Sequence, residues 1–340
     1  MIDLKNVTKV YPSKGNDDVH ALNDITLHIG SGEIHGIVGE SGAGKSTLIR
    51  CLTGLEKPTS GSITINGNDI TQLKPRELRK IRRNMGMVFQ SANLFDQRTA
   101  ADNIAYALKR AGFAKNDIST RVNEMLHLVG LADKAHSYPS QLSGGQRQRI
   151  GIARAMATTP AVLLCDEPTS ALDTETTEQI LDLLHNVREK YGVTIAIITH
   201  EMNVVRRICD HVTLLDHGTI TQSTTVAQAV KDTNSLLARQ IIPQPTLDPQ
   251  EYINRSIVDI AFTSHLGEPT GSHVLSIARS LGADIGAGTF DSLHGTQIAR
   301  LALTIDNSHV NEALQTFADA GIDAHLRPST TDEEESHGAS

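Results

Sequence analysis

The segment GIVGESGAGKST places Gly39, Gly44, Lys45 and Ser46 in the spacing G-x4-G-K-S/T, after an apolar run and before a helical pattern. Glycines in such a turn let backbone N–H groups point inward around phosphate oxygens, and a helix N-terminus adds its dipole. In that chemistry Lys45 reaches the β- and γ-phosphates and the Ser46 hydroxyl ligates Mg²⁺. A second segment, AVLLCDEPTSALD, ends an apolar strand in Asp166 and Glu167. Carboxylates at the C-terminal edge of a parallel sheet face its ligand crevice. Asp166 is thus placed to hold Mg²⁺ through water, and Glu167 to orient or deprotonate an attacking water. His200, after the strand TIAIIT, and Gln90, after MGMVF, occupy equivalent strand ends. There His200 can reach a γ-phosphate, and Gln90 the metal or the water.

Those positions require a sheet whose strands end on one side. Short β-branched runs at 33–38, 85–89, 161–165, 194–198 and 212–215 alternate with helical periods at 45–53, 121–129, 146–157, 176–190 and 202–208. The order predicts an α/β fold with a buried, largely parallel sheet. Turn signals at Asn66-Gly67 and Asp216-His217-Gly218 predict an added antiparallel β portion. At IIPQPTLDPQ, Pro243, Pro245 and Pro249 break the pattern and favour an extended connector. Beyond it, a strand (256–263), a helix (273–281), two strands (284–290 and 298–305), a helix (309–320) and a strand (323–326) follow the β-α-β-β-α-β order of ferredoxin-like domains. The expected division is a nucleotide-binding domain at 1–240, a linker at 241–254, a ferredoxin-like domain at 255–328 and a disordered acidic tail at 329–340.

Composition excludes several classes. At 340 residues the chain exceeds one average domain. The net charge of −8 is concentrated at the end, where residues 251–340 hold 13 acidic and 4 basic side chains. Neither part has the basic balance of a nucleic-acid binder, so no nucleic-acid partner is expected. Apolar runs such as 104–108 and 161–165 are far shorter than the roughly 20 residues of a membrane helix. Three scattered cysteines, Cys51, Cys165 and Cys209, suit reduced thiols. HEMNV at 200–204 lacks the second histidine of a zinc-protease motif, Val204 standing in its place.

The segment LSGGQ, Leu142 to Gln146, is a second glycine-rich turn opening a helix. Together with the phosphate loop, the Asp166-Glu167 strand end, SALD (Ser170 to Asp173), Gln90 and His200, it resembles the ATP-binding subunits of ABC transporters over about residues 1 to 240. The resemblance implies a P-loop ATPase with an antiparallel β subdomain and a helical signature subdomain. It implies nucleotide contacts from Tyr11, stacked on adenine, and from Gly39, Glu40, Ser41, Gly42, Ala43, Gly44, Lys45, Ser46 and Thr47. Mg²⁺ would be held by Ser46, Gln90 and Asp166, with Glu167, His200 and Gln90 catalytic. Ser143, Gly144, Gly145, Gln146 and Asp173 would meet the γ-phosphate held by a second copy, so that two chains packed head to tail sandwich two ATP molecules.

QSANLFDQRTAADNIAYAL resembles the methionine and polar amino-acid branch of importers. The tail resembles the regulatory domain of methionine-import ATPases, implying that cytosolic methionine binds there and inhibits uptake. In ADIGAGTFDSLHG, Ile285, Gly288, Asp291, Leu293 and Gly295 fit that domain's motif. Asp284 replaces its usual Asn, and Gly286 and Ala287 replace a bulky residue and Ser. Asp284, Ile285 and Gly288 are the candidate ligand contacts. The implied partners are an integral membrane permease and, indirectly, an extracytoplasmic substrate-binding protein, with this chain peripheral on the cytoplasmic face of the membrane. The basic stretch Lys74 to Arg83 either faces lipid headgroups or that permease, or forms a solvated helix face. Other cargo (another amino acid, a dipeptide, a lipid), a non-transport ABC ATPase and a binding module without turnover remain the alternatives.

Overall fold

Strands β1 (Ile2–Tyr11) and β2 (Val19–Ile29) pair antiparallel, and β1 also pairs β4 (Ser60–Ile65), whose turn leads to the short β5 (Asn68–Asp69). This gives a sheet of order β2-β1-β4-β5. Alternation along β1 and β2 turns Ile2, Leu4, Val7, Leu22, Ile25 and Ile29 inward, all within 1 % of full burial. The computed structural model describes residues 1–13, 17–232, 235–247, 252, 255–265, 270–293 and 296–327. The chain divides into two units, Met1–Thr224 and Thr225–Ser340.

The central sheet of the first unit comprises β3 (Ile34–Val38), β6 (Met85–Val88), β7 (Val162–Asp166), β8 (Thr194–Thr199), β9 (His211–Asp216) and β10 (Thr219–Thr225), in the order β10-β9-β3-β8-β7-β6. β9, β3, β8, β7 and β6 run parallel. Their C-terminal ends therefore share one edge, which delivers Gly39, Gln90, Asp166 and His200 to the same side. Every residue of β3 and β8 is buried. Helix α1 (Lys45–Leu52) lies between the two sheets, with Leu48 and Leu52 packed in one core with Ile2, Leu22, Ile37, Leu164 and Ile198. That core fixes the loop at its N-terminus.

Helix α2 (Pro75–Arg82) buries only Leu78, so its basic face is exposed. A helical layer follows, α3 (Ala100–Ala111), α4 (Lys115–Leu128) and α5 (Gly144–Met156), packed on one another. Asn103, fully buried on α3, ties the approach to that helix by accepting from Phe95 N at 2.8 Å and donating to the Phe95, Arg98 and Thr99 carbonyls. Helices α6 (Thr174–Tyr191) and α7 (Met202–Ile208) complete the unit. The alternation along β1 is interrupted by register shifts in its pairing with β2, and α3 begins in an alanine-rich stretch, so neither element stands out in the sequence.

The second unit opens with α8 (Val226–Lys231) and α9 (Leu236–Ile241), so the stretch expected to close the first domain at 240 packs here instead. Ile241 and Ile242 are buried, so the connector starts as core rather than as open chain. Then come β11 (Arg255–His265), α10 (Thr270–Ser280), β12 (Asp284–Leu293), β13 (Thr296–Asp306), α11 (Val310–Asp319) and β14 (Asp323–Leu326). The sheet is antiparallel, of order β12-β13-β11-β14. Val258, Ile260, Phe262, Leu301 and Leu303 pack with Val274 of α10 and Phe317 of α11. Residues 329–340, expected as an acidic tail, and Gly295 lie outside the described residues.

Candidate functional site

The phosphate loop is held by backbone contacts that leave no room for side chains at two glycines. A Cβ on Gly39 would stand 2.2 Å from the Leu215 carbonyl oxygen, and one on Gly44 2.4 Å from that of Ala21. Gly44 also has φ +103°, which a side chain makes costly. Gly218 N donates to Ala43 O at 3.0 Å, clamping the loop against the β9–β10 turn. A Cβ on Gly42, at φ +86°, would meet open space. The loop thus encloses one side of a cavity of about 980 Å³ lined by Glu40, Ser41, Gly42, Gly44, Lys45, Ser46 and Thr47. Lys45 Nζ donates to Gly39 O at 2.6 Å and Glu40 O at 2.8 Å. Burial lowers the pKa of this ammonium, while Glu167 and Asp166 oppose the shift.

Glu167 and His200 line the same cavity, their side chains joined at 3.0 Å between Oε1 and Nδ1. Glu167 has φ +45°, an uncommon conformation for a residue with a side chain, and its N–H donates to Ile198 O at 2.8 Å. The strand end is thereby turned so that the carboxylate leaves the sheet. Asp166 lines an adjoining groove of about 420 Å³ together with Ser46, Arg50 and Leu164. Burial and the Glu167 charge raise the Asp166 carboxyl above the usual range, against Lys45 and Arg50. A hydroxyl and a carboxylate sharing one groove make a hard-oxygen set suited to Mg²⁺.

Tyr11 and Gln90 are not among the residues that line either space. The Tyr11 hydroxyl bonds Glu56, and Lys9 Nζ lies 4.9 Å from its ring centroid, so a cation covers one face of the ring. Burial, then the Glu56 hydrogen bond, raise the Tyr11 pKa. Gln90 is exposed. Its flanks are pinned to α5, where Gln148 donates to Phe89 O at 3.0 Å and Arg154 to Ala92 O and Asn93 O at 2.6 and 2.7 Å. Neither pin is legible in the sequence, since both join segments about sixty residues apart. His20, Ala21 and His217 also line the cavity, and no motif points to them. For His217 the Asp-His-Gly turn is visible in the sequence, but not its proximity to the loop.

The signature turn stands apart from this cavity. Ser143 caps α5, accepting from Gln146 N at 3.2 Å while Gln146 Oε1 accepts from Ser143 N at 3.0 Å. A Cβ on Gly145 would stand 2.2 Å from Thr176 Cγ2, so the turn packs on the start of α6. There Asp173 caps the helix through Thr176 N at 2.9 Å, and that hydrogen bond lowers its pKa. Ser143 and Gly144 are exposed, and no residue of 143–146 lines the cavity of its own chain. The N-terminus of α5, where backbone N–H groups and the helix dipole favour an anion, is exposed at Ser143 and Gly144.

A parallel sheet carrying a phosphate loop, an acidic strand end and a separate capped Gly-Gly turn defines an ATP-hydrolysing cassette of the ABC type. The ABC transporter family model matches residues 22–170. A dimeric ATP-binding cassette in a post-hydrolysis state bound to ADP and Pi is 38% identical with a TM-score of 0.61, covering 66% of this chain and 99% of that one. The cassette cbiO1 from Clostridium perfringens, part of the cbiONQ transporter complex, is 28% identical with a TM-score of 0.61, over 70% and 96%. Methionine import ATP-binding protein MetN 2 of Bacillus anthracis is 45% identical over 327 residues, 93% of this chain and 95% of that one. MetN of Myxococcus xanthus is 42% identical over 326 residues, 95% and 98%. The chain belongs to the methionine import ATP-binding protein family.

Proposed function

We propose that this chain powers methionine uptake through a separate integral membrane permease served by an extracytoplasmic substrate-binding protein, and that it sits peripherally on the cytoplasmic face of the membrane. Relatives named for methionine import, similar along more than nine-tenths of the chain, support the cargo. Among the described residues no helix is long and apolar enough to cross a membrane, so the path for methionine belongs to another subunit. The observation that carries the mechanism is the split site: a phosphate cradle at Gly39–Thr47 and an outward-facing turn at Ser143–Gln146 that does not reach it.

In this reading two copies close head to tail. The turn of one, with the Ser143 hydroxyl and the amides at the start of α5, completes the cradle of the other around the γ-phosphate, with Asp173 beside it. Lys45 exchanges the Gly39 and Glu40 carbonyls for phosphate oxygens, and Tyr11 stacks on adenine. Glu167, aimed by its φ and by the Ile198 hydrogen bond, takes a proton from the attacking water, and His200 holds that carboxylate and contacts the γ-phosphate. Ser46 and Asp166, with Gln90, would hold Mg²⁺, which when bound neutralises charge on the phosphates. Loss of the bridging phosphate loosens the pair, and the Gln90 segment, pinned to α5, carries that movement toward the permease.

In the second unit, Asp284, Ile285 and Gly288 lie on the edge strand β12, with Ile285 exposed and Arg255 Nη1 2.9 Å from Asp284 Oδ2. This strand is the proposed seat of regulatory methionine. Gly286 sits at a register shift between Ile285 and Ala287, where a Cβ would stand 2.9 Å from Leu247 Cδ1. Leu247 therefore takes the space that a bulky residue at 286 would fill.

Uptake of labelled methionine in cells lacking this chain tests the reading. Wild type restores uptake and Glu167→Gln does not. Unchanged methionine uptake in the deletion strain would remove methionine as the cargo.

A further inference from the structure

At the opposite end of β3 from the phosphate loop, three ligating side chains converge. His35 and His211 are register partners in the parallel β3–β9 pair, so their side chains leave the same face of the sheet. Their rings stack, 5.8 Å between centroids and 3° from parallel. Glu33, two residues before His35, falls on that face as well. Its carboxylate oxygens lie 3.2 Å from His35 Nδ1 and 3.1 Å from His211 Nδ1. One ligand atom from each of the three residues lies within 4.8 Å of the others, and among the described residues no other group of three His, Cys, Asp or Glu side chains converges so closely.

Two of the three ligand-atom separations match those of a coordination shell. A tetrahedral zinc ion about 2.0–2.2 Å from its nitrogen and oxygen ligands holds them about 3.3–3.5 Å apart, close to both carboxylate–imidazole distances here. His211 Nδ1 is buried yet has no hydrogen-bond partner, although the Glu33 carboxylate is near. His35, 1% exposed, pairs its other nitrogen, Nε2, with Thr213 Oγ1 at 2.8 Å, and Thr213 Oγ1 meets Ser223 Oγ at 2.7 Å. This is the outer-shell bond that fixes the orientation of a metal-bound imidazole. Imidazole ligands select a late first-row metal over Mg²⁺ or Ca²⁺.

We propose that Glu33, His35 and His211 bind a divalent transition metal, Zn²⁺ in the first instance, at the edge of the ATPase sheet remote from the nucleotide. The His211 side chain is 39% exposed while its Nδ1 is buried, so the three ligand atoms lie just beneath the surface. Three residues of β3 lie between His35 and Gly39, a separation of roughly 13 Å along the strand, so the site's occupancy is read independently of ATP and Mg²⁺.

The test uses the full-length chain, stripped of metal and free of nucleotide, titrated with ZnCl₂ against a chromophoric chelator. Wild type takes up one equivalent that His211→Ala and Glu33→Gln bind at least about tenfold more weakly. Co²⁺ in the same site gives d–d absorption without thiolate charge transfer, lost in both variants. Glu33→Gln keeps the side-chain shape, and basal ATPase equal to wild type shows that both variants are folded. Zn²⁺ stoichiometry and affinity unchanged in His211→Ala, or no such equivalent in wild type, overturns the proposal.

Discussion

Each unit of this chain carries a carboxylate on a sheet strand, Asp259 buried and Asp166 half-buried, and the two are treated differently. In the second unit Asp259, 3% exposed, is gripped by Arg327 through Nη2 at 2.6 Å and Nε at 2.9 Å. In the first, Asp166 has the acidic Glu167 as its neighbour and feels Lys45 and Arg50 only through space, so its carboxyl is raised. Where the charge is structural, the fold supplies its partner. Where it is functional, the partner must arrive from outside, and the apo fold is less stable for it. The backbone shows the same contrast. Gly39 and Gly44 press against carbonyl oxygens at positions that only glycine fits, whereas the β12 surface is shaped by side chains, Leu301 across the β12–β13 pair and Leu247 from the segment before β11.

The largest effect expected is on the functional carboxylate beside Asp166. Glu167→Gln should lower steady-state phosphate release by about 10² to 10⁴ while ATP still binds. A rate within threefold of wild type would end its assignment as the base. Next comes the structural pair. Arg327→Met leaves Asp259 buried without its bidentate partner, which costs about 3 kcal/mol. If the two units melt independently, calorimetry will show the second unit's transition moving down while basal ATPase holds. A fall in both would merge the units energetically.

The same contrast explains which features are legible in the sequence. Gly39, Lys45, Asp166, Glu167 and the Ser143–Gln146 turn are legible because backbone cradles and helix caps are written within a few consecutive residues. The β-α-β-β-α-β order of the second unit is legible through strand and turn periodicity, with β13 falling at Thr296–Asp306 against an expected 298–305. What escapes depends on distant pairings. Gln148 and Arg154 hold a loop about sixty residues away, His217 reaches the loop through a hairpin, and His35 meets His211 only through the β3–β9 register. Helices α8 and α9 are short, and which unit they join is decided by tertiary packing.

A smaller effect tests whether β12 is a ligand surface. An amide both donates and accepts, whereas the Asp284 carboxylate only accepts and repels a ligand carboxylate. Arg255 already offsets part of that charge, so Asp284→Asn should tighten methionine binding to the full chain by no more than about tenfold. Calorimetry reads it directly, and equal affinity would take Asp284 out of the site.

The smallest effect bears most directly on the two carboxylates. Because the Asp166 carboxyl is raised in the fold, its ionised form is what the fold disfavours. The penalty is complete above the folded pKa and is relieved as pH falls through it and the proton is taken up. Asp166→Asn removes the charge and keeps the shape. Without nucleotide it should therefore melt higher than wild type at pH 7, by no more than about 2–4 °C, because the site is partly open and solvent screens it. The gap should close on acidification, as wild type gains the proton that the variant never needs. ATP with Mg²⁺ should reverse the order, stabilising wild type more, since only the carboxylate can answer the cation. A variant that melts lower than wild type at neutral pH without ligand would show that Asp166, like Asp259, is held by the fold for stability.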